Sequence, residues 1–381
     1  MRKVLAKTIK LIFLVLCSVV RQIIAQKNKI IICPQNARNL AGNSYHLFLF
    51  LQNSTEHDFE FYVLIKNRKV FQQLKSVYGK RILYSYSIKG IYHFCSASFI
   101  TISHGIQDYY PYSAHKLNKI IINIWHGIAL KNIGVLANNY SGIEETQRLS
   151  EATSAFILSS EEEKEIVSQS LLLPEYKIYV TGLPKNDYLV QNKSIKRDTS
   201  LFTILYAPTF RDNSHTRIFP FDDWDLSKMT PFLERHNAEI LIRHHINETD
   251  LDAQQIFSDR IRKAHAADFP DPQELLLQSD LVITDYSGIF IDFLLLDRPV
   301  MFFPYDLQDY EGARSLAYAY NESTPGPKVH SMQEFHEQLE QIIGGEDNYK
   351  KERATVRNRF HLHQDGGANQ KVLDLMLSLN K

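Results

Sequence analysis

The sequence predicts an α/β protein built as two halves, each a parallel sheet covered on both faces by helices, with a cleft between them. Strand-like apolar runs alternate with helical segments along most of the 381 residues, and the alternation restarts after a polar stretch at 191–199. The polar residues able to do chemistry gather where strands end, which is where ligands sit in such sheets. A hydrophobic content of 44% is enough for two cores of ordinary size.

In chain order, residues 29–33 read as a strand, and Gly42-Asn43-Ser44 leads into helix-like 45–51. Residues 59–66 and 81–84 are further strands around a helical segment at 69–78. The clearest strands are 99–104 and 119–125, which run into His104-Gly105 and His126-Gly127. Strand 153–158 is followed by Ser160-Glu161-Glu162-Glu163, a capping-box pattern that opens a helix. Strand 177–181 and Gly182-Leu183-Pro184-Lys185-Asn186-Asp187 close the first half, and the polar stretch with Lys193, Lys196 and Arg197 reads as a linker. Strands at 201–206, 239–242, 281–283 and 300–303 begin the second series, and the tail from 350 to 379 reads as helical. The expected division is a segment at 1–27, a first domain at 28–192 and a second at 200–381.

The first 27 residues carry Arg2, Lys3, Lys7 and Lys10, an apolar run from 11 to 20 broken only by Ser18, and then Arg21. As a helix the run spans roughly 15 Å, about half of a ~30 Å hydrocarbon core, too short to cross unaided. Basic flanks on an apolar core fit a peripheral anchor on the anionic inner leaflet of a membrane, at its cytoplasmic face. A cleaved signal peptide fits less well, because Ile23 and Ala25 make a poor cleavage site; a first helix packed on the domain is the alternative. Lys+Arg and Asp+Glu number 43 each, so no global field draws nucleic acid and an anionic substrate must be met by a local site. Cys17, Cys33 and Cys95 have no metal-type spacing, and their odd number argues against a disulfide framework, as in a reducing cytoplasm.

Four polar clusters fall at expected strand ends: His126-Gly127; Tyr206 to Asp212 with Thr209 and Arg211; Arg243-His244-His245; and Asp285-Tyr286-Ser287. The last follows an apolar run and precedes helical spacing at Ile289, Phe290, Phe293 and Leu294. Ser287 is therefore expected to cap a helix whose free N–H groups and dipole make an anion site. Any one cluster is ordinary architecture; four in this order favour a nucleotide-dependent transferase. Asp223-Trp224-Asp225 has the spacing of a divalent-metal motif, but it lies in a polar stretch away from any strand end. His361 and His363 share a metal-type spacing but read as a solvated C-terminal face, so no cofactor is expected and no metal is required.

The chain resembles the CDP-glycerol:poly(glycerophosphate) glycerophosphotransferases of teichoic acid and capsule synthesis over roughly residues 28 to 375. The matching stretches are Gly42-Asn43-Ser44, residues 124–134 around Trp125-His126-Gly127, Gly182 to Asp187, Tyr206 to Asp212, residues 241–245, and Asp280 to Ser287. Asp292, Arg298-Pro299 and Tyr305-Asp306-Leu307 extend the last block, followed by Pro325-Gly326-Pro327 and Asp365-Gly366. The resemblance implies a GT-B fold of two facing Rossmann-like domains, transfer of glycerol phosphate from CDP-glycerol to a lipid-linked or polysaccharide acceptor, and release of CMP. It places His126 on the family's catalytic histidine and His245 on a histidine touching the nucleotide phosphates. Arg211, Arg243, Ser287, Asp285, Gly127 and Thr209 then line the donor site. An imidazole with pKa near 6.5 suits a general base at neutral pH. The chain departs from the family pattern at Ile128, often threonine, at Gly288, commonly serine, and at Phe210, usually tryptophan. The departures leave open CDP-ribitol as donor, a nucleotide-sugar glycosyltransferase, and a silent scaffold, the last opposed by retention of both histidines and both arginines.

Overall fold

The computed structural model describes residues 2–55, 58–112, 117–138, 140–195, 200–209, 211, 216–243, 256–265 and 268–380, with side chains at 2–7, 10, 21, 313 and 314 excepted. The chain opens with α1 (Arg2–Ile23), β1 (Lys27–Cys33), α2 (Gly42–Asn53), β2 (Glu60–Ile65), α3 (Arg68–Tyr78), β3 (Ile82–Tyr84) and α4 (Ile88–Ser96). It continues with β4 (Ala97–Ile102), β5 (Ile120–Asn123), α5 (Ile143–Ala152), β6 (Ala155–Leu158), α6 (Glu162–Leu171), β7 (Ile178–Val180) and α7 (Pro184–Asn192). A second series follows: β8 (Phe202–Tyr206), α8 (Leu226–Arg235), β9 (Ala238–Ile242), β10 (Ile261–Lys263), α9 (Pro272–Gln278), β11 (Leu281–Thr284), α10 (Ile289–Phe293) and β12 (Val300–Phe302). The last helices are α11 (Leu307–Arg314), α12 (Tyr320–Ser323), α13 (Met332–Ile343), α14 (Lys350–Phe360) and α15 (Ala368–Leu379).

Both sheets are wholly parallel. The seven-stranded sheet runs β3-β2-β1-β4-β5-β6-β7 and the five-stranded sheet β10-β9-β8-β11-β12. Each order reverses once, at β1/β4 and at β8/β11, and a crevice opens beyond the strand ends at such a reversal. The α/β class and the parallel sheets agree with the sequence, and every strand expected from the pattern is present. Strand β10 was not expected: three residues, of which only Ile261 is fully buried, give no readable alternation.

The strands are apolar runs because both faces are covered. Along β1, Ile30 and Ile32 pack with Leu47, Phe48 and Leu51 of α2 and with Val372, Leu373 and Met376 of α15. Ile31 and Cys33 face the other way, onto Phe94, Cys95 and Cys17. Compact packing divides the chain into one unit of residues 1–126, 140–188 and 365–381 and another of 127–139 and 189–364. The tail is two helices: α14 ends at Phe360, where His361 turns extended at φ −132°, ψ 94°, and α15 starts at Ala368.

Helix α1 buries Cys17 against the first unit, with Phe13 and Val20 beside it, and leaves Leu11, Ile12, Val15, Leu16 and Val19 exposed. Among the described residues no helix is long and apolar enough to cross a membrane.

The start of α15 is held from far away in sequence. The carboxylate of Asp187 accepts hydrogen bonds from the Ala368 and Asn369 amides and from Asn369 Nδ2, all at 2.8 Å. These bonds fix the helix that completes the first unit's core. Asp187→Ala should cost about 3 kcal/mol by urea unfolding, since it orphans three buried donors; an unchanged midpoint would mean that α15 docks by apolar packing alone.

Candidate functional site

In the first unit, the ends of β4 and β5 bring two imidazoles face to face. The rings of His104 and His126 stack at 4.1 Å between centroids with an interplanar angle of 7°. Ser103 serves both: its carbonyl lies 3.2 Å from His126 Nδ1, and its hydroxyl lies 2.9 Å from His104 Nδ1. A carbonyl only accepts, so His126 Nδ1 carries the hydrogen and Nε2 is the imine nitrogen of the neutral ring. The turn after β4 is pinned by buried Asp108, whose carboxylate accepts from the Ser103 amide at 2.9 Å and the His104 amide at 2.8 Å. Burial lowers the His104 pKa below its ordinary value, with Asp108 opposing, so His104 is neutral beside its solvent-exposed partner.

The backbone before His126 is strained. Trp125 sits at φ +52°, a left-handed conformation costly for a bulky side chain. Three side chains hold the turn, the nearest being Asn123, whose Oδ1 accepts from the Trp125 amide at 2.9 Å. Asn43 Nδ2 donates to the carbonyls of Ile124 at 2.8 Å and Trp125 at 3.0 Å, while its Oδ1 accepts from the Lys185 amide at 3.1 Å. Lys185 Nζ in turn donates to the His126 carbonyl at 3.0 Å. Three separate sequence motifs, around Asn43, His126 and Lys185, thus converge on one turn. Sequence reading singled out the motifs but gave Asn43, Lys185 and His104 no role, because their contacts span up to 142 residues.

In the second unit the two arginines differ. Arg211 is buried at 7% exposure, with Nε and Nη2 donating to the Asp306 carboxylate at 2.8 and 2.9 Å, Nη2 also to Asp285 at 2.9 Å, and Nη1 to the Thr209 carbonyl at 2.6 Å. The rings of Tyr286, Tyr305 and Tyr310 surround its guanidinium at 5.1 to 5.3 Å. Burial pushes Asp285 up from the usual carboxylate range, and Arg211 with the Thr209 and Tyr286 amides pulls it back. With the guanidinium permanently charged, the pair is ionic. Arg211 and Asp285 are therefore satisfied by each other, by Asp306 and by the Thr209 backbone, and form the frame behind the strand ends. Arg243, half-buried after β9, donates through Nη1 to the carbonyls of Ala264 and Phe269 at 3.2 and 2.9 Å and forms no ion pair among the described residues. Its Nε and Nη2 make it the better-placed cation for an anionic ligand.

The helix after β11 departs from expectation. Helix α10 has five residues, Ser287 Oγ meets the Ile289 amide only at 3.4 Å, and the N-cap position is Gly288 rather than Ser287. A Cβ on Gly288 would overlap the Ile128 carbonyl oxygen, so a serine does not fit there without backbone movement. The two departures from the family pattern, Ile128 and Gly288, thus meet in one contact, within the second unit and beside Gly127, the first residue of that unit's 127–139 segment. His244, His245, Phe210 and Asp212 lie outside the described residues.

The metal-like spacings are used otherwise. Asp223 accepts from the Met332 amide at 2.8 Å at the start of α13, and Asp225 caps α8 through the Ser227 amide at 3.0 Å. His361 is not on a solvated face: it is 1% exposed, its Nε2 2.8 Å from the Ile291 carbonyl. Among the described residues no cluster of His, Cys, Asp or Glu is arranged to hold a metal ion.

The profile of one family, CDP-glycerol:poly(glycerophosphate) glycerophosphotransferase, matches residues 15–378. The chain belongs to this family. Among its relatives, the teichoic acid poly(ribitol-phosphate) polymerase of Bacillus spizizenii is 25% identical over 92% of this chain and 56% of its own length. The teichoic acid glycerol-phosphate primase of Bacillus subtilis is 26% identical over 77% of this chain and 76% of its own. The chain spans 50–56% of the length of three ribitol-phosphate polymerases, so it corresponds to about half of those proteins. The structure of the wall teichoic acid polymerase TagF superposes with a TM-score of 0.73 at 22% identity, covering 93% of this chain and 89% of that one, a likeness of fold.

In this family member, Asp285→Asn should destabilise the second unit by about 3 kcal/mol, because it leaves a buried guanidinium short of charge. A double-mutant cycle with Arg211→Met checks this by denaturant unfolding: strong coupling is expected, and additive losses would remove the ion pair as the frame of the strand ends.

Proposed function

We propose that this protein is a CDP-glycerol glycerophosphotransferase of GT-B type, moving glycerol phosphate to a hydroxyl of a lipid-linked or teichoic acid-type acceptor at the cytoplasmic face of the membrane. Family membership supports the reaction class, and one geometric observation supports the mechanism: Ser103 ties up His126 Nδ1 and so leaves Nε2 as the basic nitrogen. In the reaction, His126 Nε2 takes the proton of the acceptor hydroxyl as its oxygen attacks the β-phosphorus of CDP-glycerol. The bond from that phosphorus to the bridging oxygen breaks, and CMP leaves. Negative charge grows on the transferred phosphate and on CMP, and fixed cations are the usual means of stabilising it. Arg243 takes that role, with His245 beside it in sequence; Arg211 and Asp285 hold the loop that carries Thr209. The reading requires no metal.

His104 acts through His126 as a positioning residue. Kept neutral, it gives the imidazolium that forms on His126 a ring face to stack on, where a protonated neighbour would oppose it.

His126→Ala should lower turnover by roughly 1,000-fold with donor affinity nearly unchanged. Retained turnover would take His126 out of the mechanism. His104→Ala should shift the acidic limb of the kcat–pH profile, and His104→Phe, which restores a ring, should recover part of kcat. Ribitol-phosphate polymerases among the relatives support a second donor, CDP-ribitol. A panel of CDP-polyols and nucleotide sugars, read by the nucleotide released, separates the two: CMP from CDP-glycerol is expected, and release only from a nucleotide sugar would overturn the assignment.

A further inference from the structure

Residues 1–107 hold fifteen Lys and Arg against three Asp and Glu, a net charge of +12 in a chain whose total is zero, and residues 61–107 contain no acid. Part of that charge surrounds an open depression of about 410 Å³ in the first unit, formed by α3, β3 and α4. Phe71 and Tyr84 contribute its apolar wall, and Arg68, Lys75 and Lys89 its cations. All three cations are exposed, and none forms an ion pair among the described residues.

The helix ends here are electrostatically inverted. Arg68 is the first residue of α3 and Lys89 the second of α4, and neither helix has an acid in its first turn. A cation is disfavoured at the positive end of a helix dipole, and here two such cations line one depression with Lys75, which sits in the last turn of α3. An anion in the depression offsets the two misplaced cations and pairs with the third.

The surroundings identify the anion's carrier. From the depression a chain of ring contacts leads to α1: Phe71 to Tyr84 at 5.4 Å, Tyr84 to Tyr86 at 5.5 Å, and Tyr86 to Phe13 at 5.9 Å. Phe13 belongs to the helix that exposes Leu11, Ile12, Val15, Leu16 and Val19, and Ile88, between the pocket residues Ser87 and Lys89, is 87% exposed. A soluble ion accounts for the cations but not for the exposed Ile88 among them or for the exposed apolar side of α1. We propose that this depression binds the phosphate headgroup of an anionic membrane lipid, presented by a bilayer that rests on the exposed side of α1. The site builds on the membrane association proposed above but is independent of the transfer reaction, so its test uses no turnover.

The full chain is partitioned onto phosphatidylcholine vesicles with and without phosphatidylglycerol. Each cation near an anionic surface contributes about fivefold, so Arg68→Gln/Lys75→Gln/Lys89→Gln should lose roughly 100-fold of the preference for phosphatidylglycerol. A charge-matched control, Lys27→Gln/Lys69→Gln/Lys80→Gln, should retain most of it. Equal losses in the two variants would reduce the site to a diffuse field, and no loss in the first would remove it. Displacement of the protein by inorganic phosphate at the lipid's own concentration would make it a small-anion site and overturn the lipid assignment. All six positions are exposed, so the variants are expected to fold.

Discussion

The first unit's chemistry depends on one amide side chain. Asn43 donates to two consecutive carbonyls and accepts from a third backbone group, so it ties the start of α2, the end of β5 and the start of α7 together. Without those bonds the left-handed Trp125 keeps the Asn123 side chain at its amide and Lys185 at the next carbonyl but loses its two carbonyl contacts, and the turn that carries His126 loosens. The strain is local and so is its support. The fold makes this possible because a parallel sheet gathers the carboxyl ends of strands distant in sequence at one edge.

The second unit solves a different problem. It must keep a permanently charged guanidinium out of water, and it does so with two carboxylates, a carbonyl and three tyrosine rings around Arg211. Full satisfaction of the group fixes Arg211 against Asp285 and Asp306, whereas Arg243 donates to two backbone carbonyls through Nη1. Two arginines that look equivalent in sequence thereby sit in different electrostatic surroundings.

Fold was largely legible in the sequence because it rests on local patterns: apolar runs of strand length, spaced by helices, register on any pass along the chain. The site was legible only as a set of positions. His126 and Arg243 stood out as polar residues at strand ends, but the stack of His104 on His126 and the engagement of Arg211 are tertiary facts without periodicity. The reading failed where a residue type had two uses. Asp223 and Asp225 share a metal motif's spacing and serve as helix caps, and Ser287 has the right neighbours for a cap that the structure assigns to Gly288. Strand β10 escaped because only Ile261 of its three residues is buried, so no apolar run marks it.

The docking of α15 has a consequence for synthesis. The core that α2 and the first sheet share with Val372, Leu373 and Met376 is incomplete until those three residues, made after the whole of 189–364, have left the ribosome. A growing chain therefore exposes an apolar seam on its earliest-made unit through the entire translation of the other. Sequential, unit-by-unit maturation is closed to this molecule, and its first unit becomes native only after its second has been made.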